Sequence, residues 1–235
     1  QLLKVTEASL GQARTVHQGL ASCADAGAER IRREIDRFVP LVEQVVSQTY
    51  RRVVLGEVVP AAEKVVSLFE PHTCVIRRGK ADKPTEFGRK IWLDEVDGGI
   101  VSSYRVLEGN PPDAEQLAAS LAQHRRLFGR APHTLAGDRG VHSAENELVA
   151  RQEGVKRVAL PKPGAKSPER RCYERQGWFR RAQRFRAGVE GRISVLKRRG
   201  YLGRCRDHGE DGFGRWVGWG VVTANLATIA RKVAT

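Results

Sequence analysis

Methionine is absent from the 235 residues, and aromatic side chains make up only 6% of them. A translated protein begins at a start codon, so we expect a fragment whose true N-terminus lies upstream of Gln1. No apolar run approaches the ~18–20 residues of a membrane-spanning helix. No signal peptide is recognisable at the N-terminus either. These absences predict a soluble, cytoplasmic protein without a membrane partner.

Cysteine is scarce, and the four that occur stand apart, at Cys23, Cys74, Cys172 and Cys205. None forms a CxxC pair, and the six histidines do not bracket them at zinc-ligand spacing. We therefore expect reduced, buried thiols, as in other cytosolic proteins, and neither a zinc module nor a disulfide scaffold.

Acidic residues are rare in one stretch of the chain. Residues 151–210 hold 18 Lys and Arg against 6 Asp and Glu, and carry almost all of the net charge of +14. A cation cluster this local predicts a polyanionic partner. The alternative is a solvated basic surface without a partner. A membrane surface fits less well, because Pro and Gly interrupt the stretch and no long amphipathic helix spans it.

The N-terminal region, 1–59, predicts a helical arm that packs or contacts partners. Asp25 is placed to cap a helix, and Pro40 should kink or divide that helix. Apolar side chains recur at helical spacing in its second half: Ile31, Ile35, Phe38, Val42, Val45 and Val46. No catalytic constellation lies here.

The rest of the chain, 60–235, predicts alternating strands and helices. Apolar runs at 65–69, 87–96 and 100–107 predict three consecutive antiparallel strands, and a Gly-containing turn joins the last two. The pattern then predicts a helix over 113–128 with a capping box at Asp113 and Gln116, a strand at 133–136, a helix over 144–152 capped by Ser143, a strand at 155–160, and helices over 178–199 and 213–233. This order is typical of an α/β, RNase H-like mixed sheet.

Two carboxylates stand out in this arrangement. Asp138 follows the strand at 133–136, where neighbouring glycines allow a sharp turn that exposes the carboxylate. Glu190 shares one helix face with Arg186 and Lys197, at about 40°, 0° and 20° around the axis. The alternatives are an ordinary turn aspartate and a surface helix with i,i+4 charge pairs.

The segment Gly137–Gly140 and the pattern Arg186-x3-Glu190-x6-Lys197 resemble the second and third acidic motifs of DDE transposases of bacterial insertion sequences. Related families have Tyr-x2-Arg-x3-Glu-x6-Lys, and this chain departs from it by placing Gln183 at the tyrosine. Further segments resemble an insertion-sequence family usually left unclassified: 67–73, 83–88, 108–113 and 209–213. The resemblance extends from about residue 65 to the C-terminus.

The resemblance implies a DNA transposase that cuts transposon ends and transfers them to target DNA. Three carboxylates would hold two Mg²⁺ ions, with Mn²⁺ as a possible substitute; one ion activates the attacking water or 3′-hydroxyl and the other stabilises the leaving oxygen. Arg186 and Lys197 would contact DNA phosphates near the cut. The implied partners are double-stranded DNA at the transposon ends and target, and further copies of the chain on DNA, in the nucleoid.

The first metal-binding carboxylate is assigned to Glu70, because it ends the predicted strand at 65–69. Asp113, Asp97 and Asp94 remain rivals. Asp113 is explained by helix capping, and Asp97 by its turn. Asp94 lies on the second strand and could face either side of the sheet.

Within the basic segment we expect Lys166, Arg170 and Arg171 to contact DNA. Asp138 and Glu190 are only 52 positions apart, which favours a compact catalytic domain without a large insertion. Two other functions remain open. One is an inactive, transposase-derived DNA-binding remnant, and the other is an RNase H-like nuclease that cuts without strand transfer.

Overall fold

The computed structural model describes residues 1–77, 85–198 and 202–234. The chain divides into two compact units, Gln1–Lys90 with Glu108–Asn110, and Ile91–Leu107 with Pro111–Thr235. Residues 60–90 thus group with the N-terminal helices, whereas the sequence predicts a boundary at 59/60. Residues 83–84, which begin the segment 83–88 of the motif resemblance, fall outside the described residues. In the ranges that are described, no helix is long and apolar enough to cross a membrane.

The first unit is built on two helices, α1 (Leu2–Gly19) and α2 (Ala26–Val53). Asp25 caps α2 as predicted, since its carboxylate accepts hydrogen bonds from two first-turn N–H groups at 2.8 and 3.1 Å. Of the two effects predicted for Pro40, a kink or a division, the division does not occur, because α2 continues through it. A proline removes a single backbone donor, and the packing of α2 along α1 supports the remaining turns.

A short hairpin, β1 (Cys74–Arg77) with β2 (Thr85–Gly88), completes this unit. The strand predicted at 65–69 is wrong. There the side chain of Gln48, from α2, bonds both the N–H and the C=O of Val65 at 2.9 Å. Because these backbone groups are satisfied by an amide, the segment has no ladder to join.

A second hairpin opens the other unit, as the sequence predicts. Its strands are β3 (Ile91–Val96) and β4 (Ile100–Val106), which pair antiparallel. Gly98 and Gly99 turn the chain at φ of +83° and +80°, a region that favours glycine. The strand expected over 87–96 is divided, since its first two residues belong to β2.

The remaining elements follow the predicted order. They are a 3₁₀ turn (Asp113–Gln116), α3 (Leu117–Phe128), β5 (Thr134–Ala136), α4 (Ala144–Gln152), β6 (Arg157–Ala159), α5 (Pro168–Arg175), α6 (Gly177–Arg198) and α7 (Gly209–Val233). Strands β5 and β6 are parallel. The chain is therefore of mixed α/β class, as expected.

The single mixed sheet of an RNase H-like fold is not what the strand pairing shows. In the described part of the chain the strands form three separate pairs, β1–β2, β3–β4 and β5–β6. One reason lies at the outer edge of β4, where the side-chain amide of Asn225, from α7, bonds the N–H and C=O of Val101 at 2.9 Å each. A helix thus covers an edge that another strand could have joined.

The second unit has its core around the parallel pair. The members of the largest buried cluster are Leu117, Leu121, Val141, Ala150, Val155, Val158 and Leu160. Helix α6 covers this pair through Phe179 and Ala182, which pack on Ala159 of β6. This packing fixes α6 across the carboxyl ends of β5 and β6.

The cysteines depart from expectation in one respect. All four are free thiols, but none is buried. Cys23 lies in the connection between α1 and α2, and Cys172 is an exposed residue of α5. The predicted burial is wrong, because both lie on surface elements and not in a core.

Candidate active site

Asp138 lies two residues beyond the end of β5, where the sequence predicts it. Its Oδ1 accepts a hydrogen bond from the N–H of Val141 at 3.1 Å, so the carboxylate closes the turn that it begins. The preceding residue has to be small, because a Cβ on Gly137 would lie 2.7 Å from a methyl group of Leu160. Core packing therefore holds the start of this turn tightly.

Glu190, on α6, is linked to Asp138 through the side chain of Arg186. The guanidinium of Arg186 is 2.9 Å from Glu190 Oε1 and 3.4 Å from Asp138 Oδ2. The predicted helix face is confirmed for Arg186 and Glu190, which are spaced i,i+4. Two acidic residues that are distant in the sequence thus share one cation.

Gln183 replaces the tyrosine of the motif and has a visible role. Its Nε2 donates hydrogen bonds to the carbonyl oxygens of Ala159 at 2.7 Å and Gly137 at 3.1 Å. One amide therefore ties α6 to the ends of both parallel strands. A tyrosine hydroxyl carries a single donor, so it could not make this pair of bonds.

A cavity of about 390 Å³ lies at this junction. Its size is within the range of small-ligand pockets, about 300–1,000 Å³. It is lined by Asp138, Arg139, Gly140, Pro161, Gln183 and Arg186. Its charged lining residues are of both signs, one carboxylate and two guanidiniums.

Asp113 lies beside Asp138, a proximity that no sequence pattern predicts. A Cβ built on Gly140 would be 3.2 Å from Asp138 Oδ1 and 3.3 Å from Asp113 Oδ2. The two carboxylates therefore both pack closely against Gly140, where a larger residue would be crowded. The predicted capping role of Asp113 is wrong, since neither the 3₁₀ turn nor α3 has a side-chain cap; Pro112 precedes the turn instead.

Asn146 holds the two loops together. Its Nδ2 donates to the carbonyl oxygens of Ala114 at 2.8 Å and Val141 at 2.7 Å. Its own N–H donates to Ser143 Oγ at 2.9 Å, which confirms the predicted cap of α4. No sequence signal points to Asn146, because its partners lie on separate loops.

Glu70 is in the first unit, and the strand expected to position it is absent. Its Oε2 is 3.2 Å from Nε2 of His72. The assignment of Glu70 as the first metal-binding carboxylate therefore stays a prediction without the local structure that motivated it.

The other two rivals have structural roles in the hairpin. Asp94 accepts hydrogen bonds from Trp92 Nε1 at 2.9 Å and Ser103 Oγ at 2.6 Å. Asp97 accepts one from the N–H of Gly98 at 2.8 Å, as expected for a turn residue. Both carboxylates are thus used to shape the hairpin.

The fit of a divalent cation can be judged from the donors. As they stand, the described side chains contain no group of three or more His, Cys, Asp or Glu arranged to hold a metal. Yet Asp138 and Glu190 already bind a cation, the guanidinium of Arg186. Carboxylate oxygens are the ligands that Mg²⁺ requires, and Asp138 and Glu190 supply such oxygens on either side of Arg186.

Two of the three predicted DNA contacts are engaged within the protein. Arg170 is 2.6 Å from Glu147 and 2.8 Å from Glu174, and Lys166 is 2.5 Å from Glu174. All four side chains are at most a quarter exposed. Charge counting could not reveal these partners. Arg171, the third predicted contact, is exposed on α5.

Glu174 is strongly acidic in this network. Burial opposes its ionisation, but hydrogen bonds from Lys166, Arg170 and the N–H of Lys162 outweigh that effect and lower its pKa to about 2. Hydrogen bonds to Glu174 and Glu147 raise the pKa of Arg170 against the effect of burial. Glu174 and Arg170 therefore both stay charged at neutral pH.

Other cations of α6 are open to solvent. Arg180, Arg181 and Arg184 are exposed, and so is Lys197 near the end of the helix. They follow the same helix that carries Arg186 and Glu190. The motif resemblance points to only one of these four, Lys197.

The chain matches no family model, no curated protein and no solved structure. Its function therefore has to be inferred from the geometry of the site and from the motif residues.

Proposed function

We propose that this chain is the catalytic part of a DNA transposase, which cuts transposon ends and transfers them to target DNA in a metal-dependent reaction. The observation that carries the proposal is the convergence of Asp138, at a strand end, and Glu190, on a helix, on the guanidinium of Arg186. These are the residues of the two acidic motifs, and the spacing of the motifs did not require them to meet.

Asp138 and Glu190 would hold the divalent cations of the reaction, Mg²⁺ or Mn²⁺. When bound, such ions activate an attacking oxygen and stabilise the leaving oxygen. The carboxylates supply the oxygen ligands, and Gln183 keeps α6 at the strand ends so that Glu190 stays near Asp138. Little covalent chemistry is left to the protein.

Arg186 and Lys197 would position the DNA. A guanidinium binds phosphate through two parallel N–H donors, and an ammonium acts as a point charge. The exposed Arg180, Arg181 and Arg184 extend this basic surface along α6. Phosphate contacts of this kind set the register of the duplex without reading its sequence.

The partners in this proposal are double-stranded DNA, as transposon ends and as target, and further copies of the chain assembled on it. The basic bias of 151–210 supports a polyanionic partner. The place of action would be the bacterial nucleoid.

The direct test is nicking of supercoiled plasmid in Mg²⁺ or Mn²⁺. Asp138→Asn and Glu190→Gln keep size and remove the charge, so each should lower the nicking rate by about 100-fold or more, since metal ions contribute several kcal/mol to such reactions. Glu145→Gln is the control, because it removes the same charge from an exposed position on α4.

Nicking by both variants at the wild-type rate would disprove the assignment of the site. A wild-type chain that binds DNA but never nicks it would favour the inactive remnant.

A further inference from the structure

We propose that α7 is an interface between two copies of this chain, in which the exposed side of the helix pairs with the same side of a second, antiparallel α7. The inference names how one copy meets another, so it deepens the proposed function and rests on it for the role of the dimer. Its test uses neither DNA nor a metal.

The sequence of α7 contains the longest uncharged run in the chain. Between Arg215 and Arg231 lie 15 consecutive residues without Asp, Glu, Lys or Arg. A helix at the surface of a protein normally has one apolar and one charged side, whereas a helix that is apolar all round is buried. The centre of α7 thus has the composition of a helix that is covered on both sides.

One side of α7 is covered by the hairpin of β3 and β4. Val217 and Val221 are buried there with Val101 of β4. The opposite side is exposed and carries large apolar residues along its length. They are Trp219, Val222, Leu226, Ile229 and Val233. We call these five residues the α7 seam.

The spacing of the α7 seam points to a helix as its partner. Its members follow one another at intervals of three, four, three and four residues. This period of 3.5 residues keeps a narrow apolar stripe facing a second helix as the two wind around each other. A helix that lies on a membrane instead has a strongly charged opposite side, and the opposite side of α7 is buried in the core.

The symmetry of the seam points to a second copy of this chain as the source of that helix. Trp219 and Val233 lie seven residues from Leu226 in opposite directions. A two-fold axis through Leu226 therefore brings the Trp219 end of each seam to the Val233 end of the other. A large side chain then meets a small one at both ends of the interface.

Charge selects the antiparallel arrangement. Arg215 and Arg231, which bound the uncharged run, are both basic. In a parallel pair each would lie beside its own copy, and like charges placed together oppose association. In the antiparallel pair Arg231 lies beside the uncharged run of the other helix, and the two copies of Arg231 are about 15 Å apart along the axis.

The area of the seam is sufficient for a dimer. Trp219, Leu226 and Val233 are 71, 61 and 81% exposed. The whole seam presents roughly 600 Å² on each copy, and specific interfaces bury about 600–1,000 Å² per partner. Small uncharged residues beside the seam are exposed as well and enlarge this area, namely Thr223, Ala227 and Ala230.

The test is sedimentation equilibrium of the full chain over a range of concentrations, in about 0.5 M salt to screen its net charge. We expect a monomer–dimer equilibrium. Leu226→Glu places a charge at the two-fold axis and should raise the dissociation constant by about 30-fold or more. Leu148→Glu is the matched control, because Leu148 of α4 is 56% exposed and lies outside the seam. It should leave the dissociation constant unchanged.

Trp219→Gln gives an independent arm, since it removes the largest side chain of the seam. It should weaken the dimer by about 10-fold or more, as expected for an aromatic residue that anchors an interface. Both Trp219 and Leu226 are exposed in the single chain, so the Tm measured at a concentration where the wild type is monomeric should stay close to that of the wild type.

Disulfide cross-linking tests the orientation of the two helices. In a chain whose four natural cysteines are replaced by Ser, Leu226→Cys should form a linked dimer on mild oxidation. Val233→Cys should not, because the two copies of this position are about 21 Å apart along the axis of an antiparallel pair.

A wild-type chain that stays monomeric at all concentrations would overturn the inference, and so would a dimer that Leu226→Glu weakens no more than Leu148→Glu does. Equal cross-linking through positions 226 and 233 would overturn the antiparallel arrangement. Binding of a monomeric chain to phosphatidylserine vesicles, lost in Leu226→Glu, would overturn the inference in favour of a membrane surface. None of these results bears on nicking, and a dimer that never nicks DNA would overturn only the proposed function.

Discussion

Arg170 and Arg186 each bridge two carboxylates in the same unit. The two clusters differ in how short their ion pairs are and in how far their side chains are exposed to solvent. Arg170 lies 2.6 and 2.8 Å from its partners, and all of these side chains are less than a fifth exposed. Arg186 lies 2.9 and 3.4 Å from its partners, of which Glu190 is 64% exposed. Arg170 is thus enclosed by its partners, whereas Arg186 makes longer ion pairs and lines a cavity.

The difference separates cations that build the fold from cations that are available to a ligand. Breaking an enclosed pair leaves a buried charge without its partner, which costs several kcal/mol. An exposed pair contributes about 0–1 kcal/mol, so exchanging it for a ligand costs little. Arg186 can therefore leave Asp138 and Glu190, whereas Arg170 cannot leave Glu147 and Glu174.

The largest expected effect is a difference in stability between variants of Arg170 and Arg186. Arg170→Ala should lower the free energy of unfolding by about 3 kcal/mol, because Glu147 and Glu174 would stay buried without it. Arg186→Ala should cost less than about 1 kcal/mol and still slow nicking. Urea unfolding of both variants measures this, and equal destabilisation would remove the distinction.

Acid should weaken the enclosed cluster in a defined window. The pKa of Glu174 falls from an ordinary 4.5 to about 2 in the folded chain. Because the pKa is lowered in the folded chain, the ionised Glu174 carboxylate contributes its full stabilisation above pH 4.5. This contribution is lost as the pH falls to 2. It amounts to about 3 kcal/mol at most.

The measurement is the difference in unfolding free energy between the wild type and Glu174→Gln, followed from neutral pH down to the folded pKa of about 2. It should shrink towards zero in this window. A difference that does not change with pH would show that the carboxylate is not held ionised.

The smallest expected effect concerns the exposed cations. Replacing Arg180, Arg181 and Arg184 by Gln should reduce the slope of log affinity for DNA against log salt by about 0.9 for each phosphate that the chain no longer binds. Of the DNA contacts predicted from the sequence, Arg171→Gln should also reduce this slope. Lys166 already pairs with Glu174 in the folded chain. An unchanged slope in the triple variant would mean that this face of α6 does not touch DNA.

Local patterns predict the elements of the second unit well. The turn with Asp138 after β5, the shared face of Arg186 and Glu190, and the Ser143 cap each depend on a few neighbouring residues, and all three are confirmed. Sequence reasoning is strongest where the signal lies within one helix turn or one strand.

Pairing between distant segments is not predictable in this way. The sheet prediction fails because Gln48 satisfies the backbone of Val65, and because Asn225 covers the edge at Val101. Each of these contacts is made by a single side chain to a residue distant in the sequence, and no periodic pattern predicts it. The same limit applies to Asp113, whose position in the sequence suggests a helix cap and whose neighbour in space is Asp138.

The measurement that tests the central claim most directly is the joining of a pre-cut 3′ end to a second duplex. Purified chain, a labelled oligonucleotide duplex with a free 3′-hydroxyl and a plasmid target would be incubated in Mg²⁺, and labelled joint molecules counted. We predict joint molecules with the wild-type chain and none with Asp138→Asn or Glu190→Gln. Nicking of the plasmid without any joining would contradict transposition and indicate a nuclease instead, and joining by both variants would contradict the assigned site.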